Sequence, residues 1–498
     1  MLSKKKILII GSGIGGLSTA IILTKLGFEA TVLEKNRQTG GLMRSYPRDG
    51  IECEVGVHYL GSLDKGEILR KFFDYLGVTE SIPVTRMGQG GVIDRYLFAA
   101  SGKGRQLEEP AVFDVPEGLD AFAENLQQAF PEEREAIAEI LARLHKASEQ
   151  LHGLDFLYGM ESNFTLLDQA DSLGEILNEL HCSPRLRSIL AVPSCWIGVP
   201  LQDCPAFYHN MALASYLSSS WRLDCSGSDM ADVFAQRLLE LGGKIITRAE
   251  VSRLEIADRV VKGVRLQSGE YLPAETVIGA VHPKVVLQML PEGAVKPSYR
   301  QRISRLRDTH GIFSVHVRVD AESHPEIPYN IFKIDTDEEG NVPDMKYYQI
   351  RTTDRKETNL LSILTSGKDE LWAPWLETST GRRGKEYGAV KAQHAEDLLK
   401  EAEGLFGAFK GAKILDAYTP LTMRDWVNSP GGSAYGVQRS SSQMLAAALL
   451  NRTAVKGLYL AGQNVLAPGV IGTLMGSFST VKLLVGAEAF KEGCCLNA

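Results

Sequence analysis

Nowhere in the 498 residues is there an uninterrupted apolar run of ~18 residues, the length a bilayer-spanning helix needs, so the sequence offers no membrane span. Dense basic tracts are missing too. Lys and Arg number 54 against 61 Asp and Glu, a net charge of -7, which argues against nucleic acid as a partner. Cysteine is sparse: the seven lie at 53, 182, 195, 204, 225, 494 and 495, with no CxxC pair and no Cys/His spacing that would close a metal site. No metal is expected, and reduced thiols in a cytoplasmic protein are the simplest reading. Repeats, low-complexity tracts, paired-carboxylate motifs and a nucleophile beside a base are all absent, so the chemistry must come from a bound cofactor. The tail Cys495-Leu496-Asn497-Ala498 has Asn where a prenylation box wants an aliphatic residue. The basic Met1 to Lys6 followed by Ile7 to Ile10 imitates a secretory leader, but glycines at 11, 13, 15 and 16 interrupt it and point elsewhere.

They belong to a phosphate cradle. Lys5 to Ile10 reads as a buried parallel strand running into Gly11-Ser12-Gly13-Ile14-Gly15-Gly16. Leu17, Ala20 and Ile21 then recur at helical spacing, which predicts a helix over 15–26 closed by Gly27, and Ala30 to Leu33 supplies a second strand. Gly11 permits the tight turn, Gly13 lets a pyrophosphate approach the backbone, and Gly16 lets helix and strand pack closely. Glu34, at the tip of the second strand, is placed to accept hydrogen bonds from a ribose diol, and Lys35 follows it. These features leave NAD and FAD both open. The second glycine loop, Gly40-Gly41-Leu42-Met43-Arg44, suits the longer arm of a flavin dinucleotide.

Together, GxGxxG, Glu34 and Gly40-Gly41 resemble the extended FAD motif of the amine oxidase and phytoene desaturase superfamily. Gly56-Val57-His58-Tyr59-Leu60-Gly61 is similar to a segment that carotenoid isomerases and retinol saturases bring to the flavin, as are 113–118, 130–133 and 419–422 to other parts of that branch. Near the C-terminus, Gly457 to Gln463 reads as a strand entering a glycine turn, and Pro468-Gly469-Val470-Ile471-Gly472 opens a helix containing Gly476. The resemblance implies non-covalently bound FAD. It also implies that Val251 lies near the adenine, Gly462 and Gln463 near the phosphate and ribityl arm, and Val470 and Ile471 near the pyrimidine edge of the flavin.

The fold expected is α/β: a Rossmann-like FAD-binding domain of the three-layer ββα type, from 1–75, 222–290 and 412–490, interleaved with an α+β substrate domain from 76–221 and 291–411. Short β runs at 244–251, 252–256 and 260–266 suggest a meander, 276–280 a further strand, and 121–151 helices broken near Pro131 under a helical lid. The activity implied is an FAD-dependent oxidoreductase acting on carbon–carbon bonds of an apolar polyene or isoprenoid-like substrate, as desaturase, saturase or cis-trans isomerase. An external electron acceptor or donor would serve the first two. His58, Tyr59 and Tyr435 are the candidate proton donors. Tyr208, His209, Tyr216 and Trp221 either line an apolar tunnel or sit in the core. The uncharged run Met211 to Tyr216 is a candidate for peripheral membrane contact or an interior helix. A flavin amine or amino-acid oxidase, or a non-enzymatic prenyl or lipid binder on the same fold, are the alternatives.

Overall fold

The computed structural model describes residues 5–100, 111–158 and 171–496, so residues 1–4 of the leader-like start and 497–498 of the tail lie outside it. Lys6–Ile10 is the central member of a five-stranded parallel sheet. Its order is Lys244–Ile246, Glu29–Leu33, Lys6–Ile10, Thr276–Gly279, Leu458–Leu460. Ile9 faces Val32 on one side and Ile278 on the other. Ile7 to Ile10 are buried on both faces, which is why the run reads as continuously apolar rather than alternating.

One face of this sheet carries helices Ile14–Lys25 and Gly469–Val485; Leu17, Ile21, Leu474 and Phe478 share one core with Ile7, Ile9 and Val32. The other face carries an antiparallel sheet, Val251–Ala257, Val260–Leu266 and Tyr271–Pro273, whose Leu254, Val261 and Val264 pack on Leu8, Ile10 and Val277. Helix, parallel sheet and antiparallel sheet form the expected three layers. The run 244–251 does not join the meander as one strand. It divides at residues 247–250, and Lys244–Ile246 becomes the edge of the parallel sheet.

A mixed seven-stranded sheet forms the second layered unit, in the order Lys413–Tyr418, Ile312–Asp320, Thr358–Ser366, Asp344–Thr352, Asn330–Thr336, Asp94–Ala100, Ala111–Val115. Only Asn330–Thr336 and Asp94–Ala100 pair in parallel. Lys413–Tyr418 pairs with Ile312–Asp320 and so belongs to this sheet, whereas Leu458–Leu460 and Gly469–Val485 belong to the parallel-sheet layers. Helix Gly384–Phe406 covers one face through Leu398 and Ala402. The other face is covered by Leu119–Ala129, Arg134–His152, Pro184–Trp196 and Ala206–Ser218, through Leu126, Ile140, Leu190 and Leu217. A 3-10 turn, Pro131–Glu133, separates the first two of these helices, because proline lacks the amide the helix would need there.

Helix Ala206–Ser218 is interior: Leu213, Ala214 and Tyr216 are buried, so the run Met211 to Tyr216 presents no surface to a bilayer. Among the described residues, no helix is long and apolar enough to cross a membrane, no cluster of His, Cys, Asp and Glu could hold a metal, and all seven cysteines are unpaired.

Candidate functional site

The helices Ile14–Lys25 and Gly469–Val485 lie side by side because small residues let their backbones touch. A Cβ on Gly15 would come within 2.8 Å of the Gly462 Cα, one on Gly476 would overlap the Gly462 carbonyl oxygen, and the Ser477 hydroxyl donates to the Gly15 carbonyl at 3.0 Å. Their N-termini therefore open onto the same place. The Gly16 amide is taken by the Gly13 carbonyl at 2.9 Å, but helix geometry leaves the earlier amides of each helix start without an intrahelical acceptor, so two positive helix ends converge there.

That place is a cavity of about 1350 Å3 running between the two layered units. It exceeds the roughly 300–1,000 Å3 of an ordinary small-ligand pocket. At one end lie Gly11, Ser12, Gly13, Ile14 and Gly15, with Glu34, Lys35, Val251 and the loop Gly40 to Met43. Gly462, Gln463, Val470, Ile471, His58, Tyr59 and Tyr435 line the cavity as well. Two of the expected cofactor-binding residues are not on the wall. Gly16 faces the Gly11 carbonyl, where any Cβ would collide, and so acts as the packing glycine. Arg44 turns aside to donate to the Thr39 and Gln38 carbonyls and lies 3.7 Å from Glu34.

A dinucleotide fits this cradle on two observations. A Cβ on Gly13 would meet nothing within 4 Å, so open space stands where a pyrophosphate must pass. Glu34 is buried, and its carboxylate is held at the cavity wall: Oε2 accepts from the Ser12 amide (3.1 Å) and hydroxyl (2.6 Å), and Oε1 from the Asn36 amide (2.8 Å) and side chain (2.9 Å). Asn36 was not legible as a site residue, since its role depends on the turn after the strand. Glu34→Ala is expected to destabilise the protein by about 2–3 kcal/mol in urea unfolding, because the buried Ser12 amide and hydroxyl and the half-buried Asn36 amide lose their acceptor. The loss should appear without added cofactor.

The far end of the cavity is apolar and aromatic. Ile197, Val199, Phe207, Met211, Phe332 and Met345 contribute to its wall. Tyr59 packs against Tyr216 (ring centroids 5.1 Å) and Tyr347 (6.1 Å), and Trp196 meets Tyr216 edge-on at 5.3 Å. These rings come from four separate segments, so spacing along the chain could not reveal the cluster. They pack onto one another as a single wall. Tyr208 also lines the cavity, whereas His209 is core, bonded to the Leu190 carbonyl at 2.8 Å, and Trp221 sits in strand Ser220–Leu223, paired with Leu60 and Arg86 and donating to Ser219 Oγ.

The three candidate proton donors differ in kind. Burial, reinforced by neighbouring positive groups, pushes the His58 imidazole down to about 3, so it is neutral near pH 7, and its Nε2 has no partner. Burial raises the Tyr435 hydroxyl to about 12 and that of Tyr59 well above its ordinary value, so both stay protonated. Behind the aromatic wall, Asp94 accepts hydrogen bonds from the Tyr216 hydroxyl (2.7 Å) and the Asn330 amide (2.9 Å), while its other oxygen is unpartnered. Burial pushes this carboxyl up to about 7. Because the folded form holds its proton more tightly than the unfolded chain, stability should fall as pH rises from about 4 to 7 and level off above. Asp94→Asn should flatten that slope and stabilise the protein at pH 8, as read by chemical denaturation across the range.

The sequence matches the family described as flavin containing amine oxidoreductase over residues 14–473. It is 24% identical to the all-trans-retinol 13,14-reductase of Macaca fascicularis, with 95% of this chain and 84% of that protein covered. It is likewise 24% identical to prolycopene isomerase 2 of an Oncidium hybrid cultivar, covering 95% and 82%. The fold superposes on an oxidoreductase from Methanosarcina mazei with a TM-score of 0.65 at 15% identity, over 96% of this chain and 100% of that one. That family match covers most of the chain, from the start of the first helix to the first turn of the late one, and the chain belongs to the flavin containing amine oxidoreductase family as an FAD-dependent oxidoreductase.

Proposed function

We propose that this chain exchanges hydride between FAD and a carbon–carbon bond of a long, apolar polyene or isoprenoid-like substrate, as a desaturase, saturase or cis-trans isomerase. The observation that carries the reading is the cavity itself, where the dinucleotide cradle continues into an apolar and aromatic chamber. Relatives whose names describe reduction of all-trans-retinol and isomerisation of prolycopene support it.

When bound, the flavin would supply the two-electron acceptor or donor. The chain's part is to bind, orient and exclude water. Gly13, Ile14 and Gly15 would hold the diphosphate, Glu34 the ribose, Val251 the adenine, Gly40 to Met43 with Gly462 and Gln463 the extended arm, and the amides of Val470 and Ile471 the electron-poor edge of the ring. A positive helix end at that edge stabilises negative charge arising on reduction. Charge developing on a conjugated substrate spreads along its double bonds and asks little of acids or bases. This fits a chamber whose wall includes a neutral imidazole and two protonated phenols. Tyr59 and Tyr435 would then be the proton donors to test. Desaturation and saturation would each draw on an external electron partner, whereas isomerisation would not consume reducing equivalents.

The test is anaerobic mixing of the FAD-loaded protein, oxidised or pre-reduced, with carotenoids, retinoids, polyunsaturated lipids and amines. A polyene should bleach the oxidised flavin, reoxidise the reduced one, or emerge isomerised from it. Bleaching by amines alone would refute the polyene reading in favour of an amine oxidase.

A further inference from the structure

Two leucines stand out from the surface of this acidic chain. Leu445 is 75% exposed and Leu449 57% exposed, on the turn that includes the short helix Met444–Ala447. Surface leucines scattered singly need no explanation, but these two sit in an unusual electrostatic setting. Residues 439–456 contain Arg439, Arg452 and Lys456 and no carboxylate; residues 296–307 contain Lys296, Arg300, Arg302, Arg305 and Arg307 and no carboxylate. The two segments are joined. Arg302 donates to the Ala446 carbonyl at 2.9 Å, and the Arg307 amide donates to Gln443 Oε1 at 2.6 Å. Arg439 is buried, but Lys296, Arg305, Arg307, Arg452 and Lys456 on these two segments are exposed, and the Arg452 amide donates to the Leu449 carbonyl at 3.1 Å. Asp203 lies beside this face, tied up by the Ser442 amide and hydroxyl and by Arg307 at 3.3 Å.

The contact with Asp203 gives the patch its meaning. Asp203 ends the turn Leu201–Asp203, and the preceding Pro200, Leu201 and Gln202 line the cavity. Pro200 and Gln202 are also exposed, so the cavity reaches the surface here, as it does at Asp155, Pro343 and Trp426. Met444 packs beneath the leucines against the cluster of Ile197, Val199 and Tyr208 in the same wall.

We propose that this face docks the protein on an anionic lipid bilayer, with Leu445 and Leu449 inserted among the acyl chains, the surrounding cations on the headgroups, and the cavity mouth held at the interface. Two small apolar anchors give only marginal attachment, and basic residues near an anionic surface strengthen it, the combination a reversible peripheral contact requires. The purpose of the contact rests on the apolar-substrate reading; the binding itself does not.

The experiment is flotation of the FAD-loaded full chain with phosphatidylcholine vesicles, with and without 30 mol% phosphatidylserine (~30% for an anionic leaflet mimic). Wild type should float with the anionic vesicles, and binding should weaken as salt is raised. Leu445→Asp/Leu449→Asp should lose the binding, and Arg305→Glu or Arg452→Glu should each weaken it by about fivefold or more. All three variants should keep the flavin spectrum, which separates loss of docking from loss of fold. Failure to float with either vesicle, or flotation unchanged in the double leucine variant, would overturn the proposal. So would concentration-dependent self-association without lipid that the double variant abolishes, since the face would then belong to a second copy of the chain.

Discussion

Gly13→Val is expected to yield a folded protein that no longer binds FAD. Gly13 has an extended backbone (φ -62, ψ 171) that any L-residue adopts, and a Cβ there meets no protein atom within 4 Å. The valine therefore costs the apoprotein little, and its unfolding midpoint should stay within about 0.5 kcal/mol of wild type. The space the methyls fill is the space the diphosphate needs, beside the helix amides that would otherwise face it. Affinity for FAD should drop by at least about 100-fold, as measured by titration of the apoprotein. A variant that binds FAD as well as wild type would show that the diphosphate runs elsewhere.

Gly16→Ala, three residues on, should fail by a different route. Its Cβ would overlap the Gly11 carbonyl oxygen and press on the Ala280 side chain, and because the obstacle is backbone no rotamer change relieves it. Strand Lys6–Ile10 and helix Ile14–Lys25 would have to separate, at a cost of about 3 kcal/mol or more. The signature is a lowered unfolding midpoint already in the apoprotein. If Gly16→Ala instead kept wild-type stability and lost only FAD affinity, the packing role assigned here would be wrong.

The contrast between these two glycines shows what the sequence could and could not disclose. The cradle was legible because its demands are local: strand, turn, helix and acidic strand tip occupy about thirty consecutive residues, each with a steric reason for its residue type. The late helix was legible through its own glycine turn. Other features depend on pairings between distant segments. Lys244–Ile246 and Lys413–Tyr418 are short β runs whose sheet membership is decided by partners far away in the chain, so one left the meander and the other joined the seven-stranded sheet. The aromatic wall of Tyr59, Trp196, Tyr216 and Tyr347 is likewise made by the fold, and Asp94 behind it looks like any strand-end carboxylate until its burial is seen. Met211 to Tyr216 stayed undecided for the same reason: an uncharged helix suits a membrane face and a core equally, and only packing separates the two.

Two helix starts and one carboxylate are expected to meet around a single flavin dinucleotide, and titration of the purified chain with FAD, followed by flavin absorbance and fluorescence, tests this most directly. The expected result is saturation at one FAD per chain, no displacement by NAD, and loss of that binding in Gly13→Val. A folded wild-type chain that stays colourless at saturating FAD would contradict it.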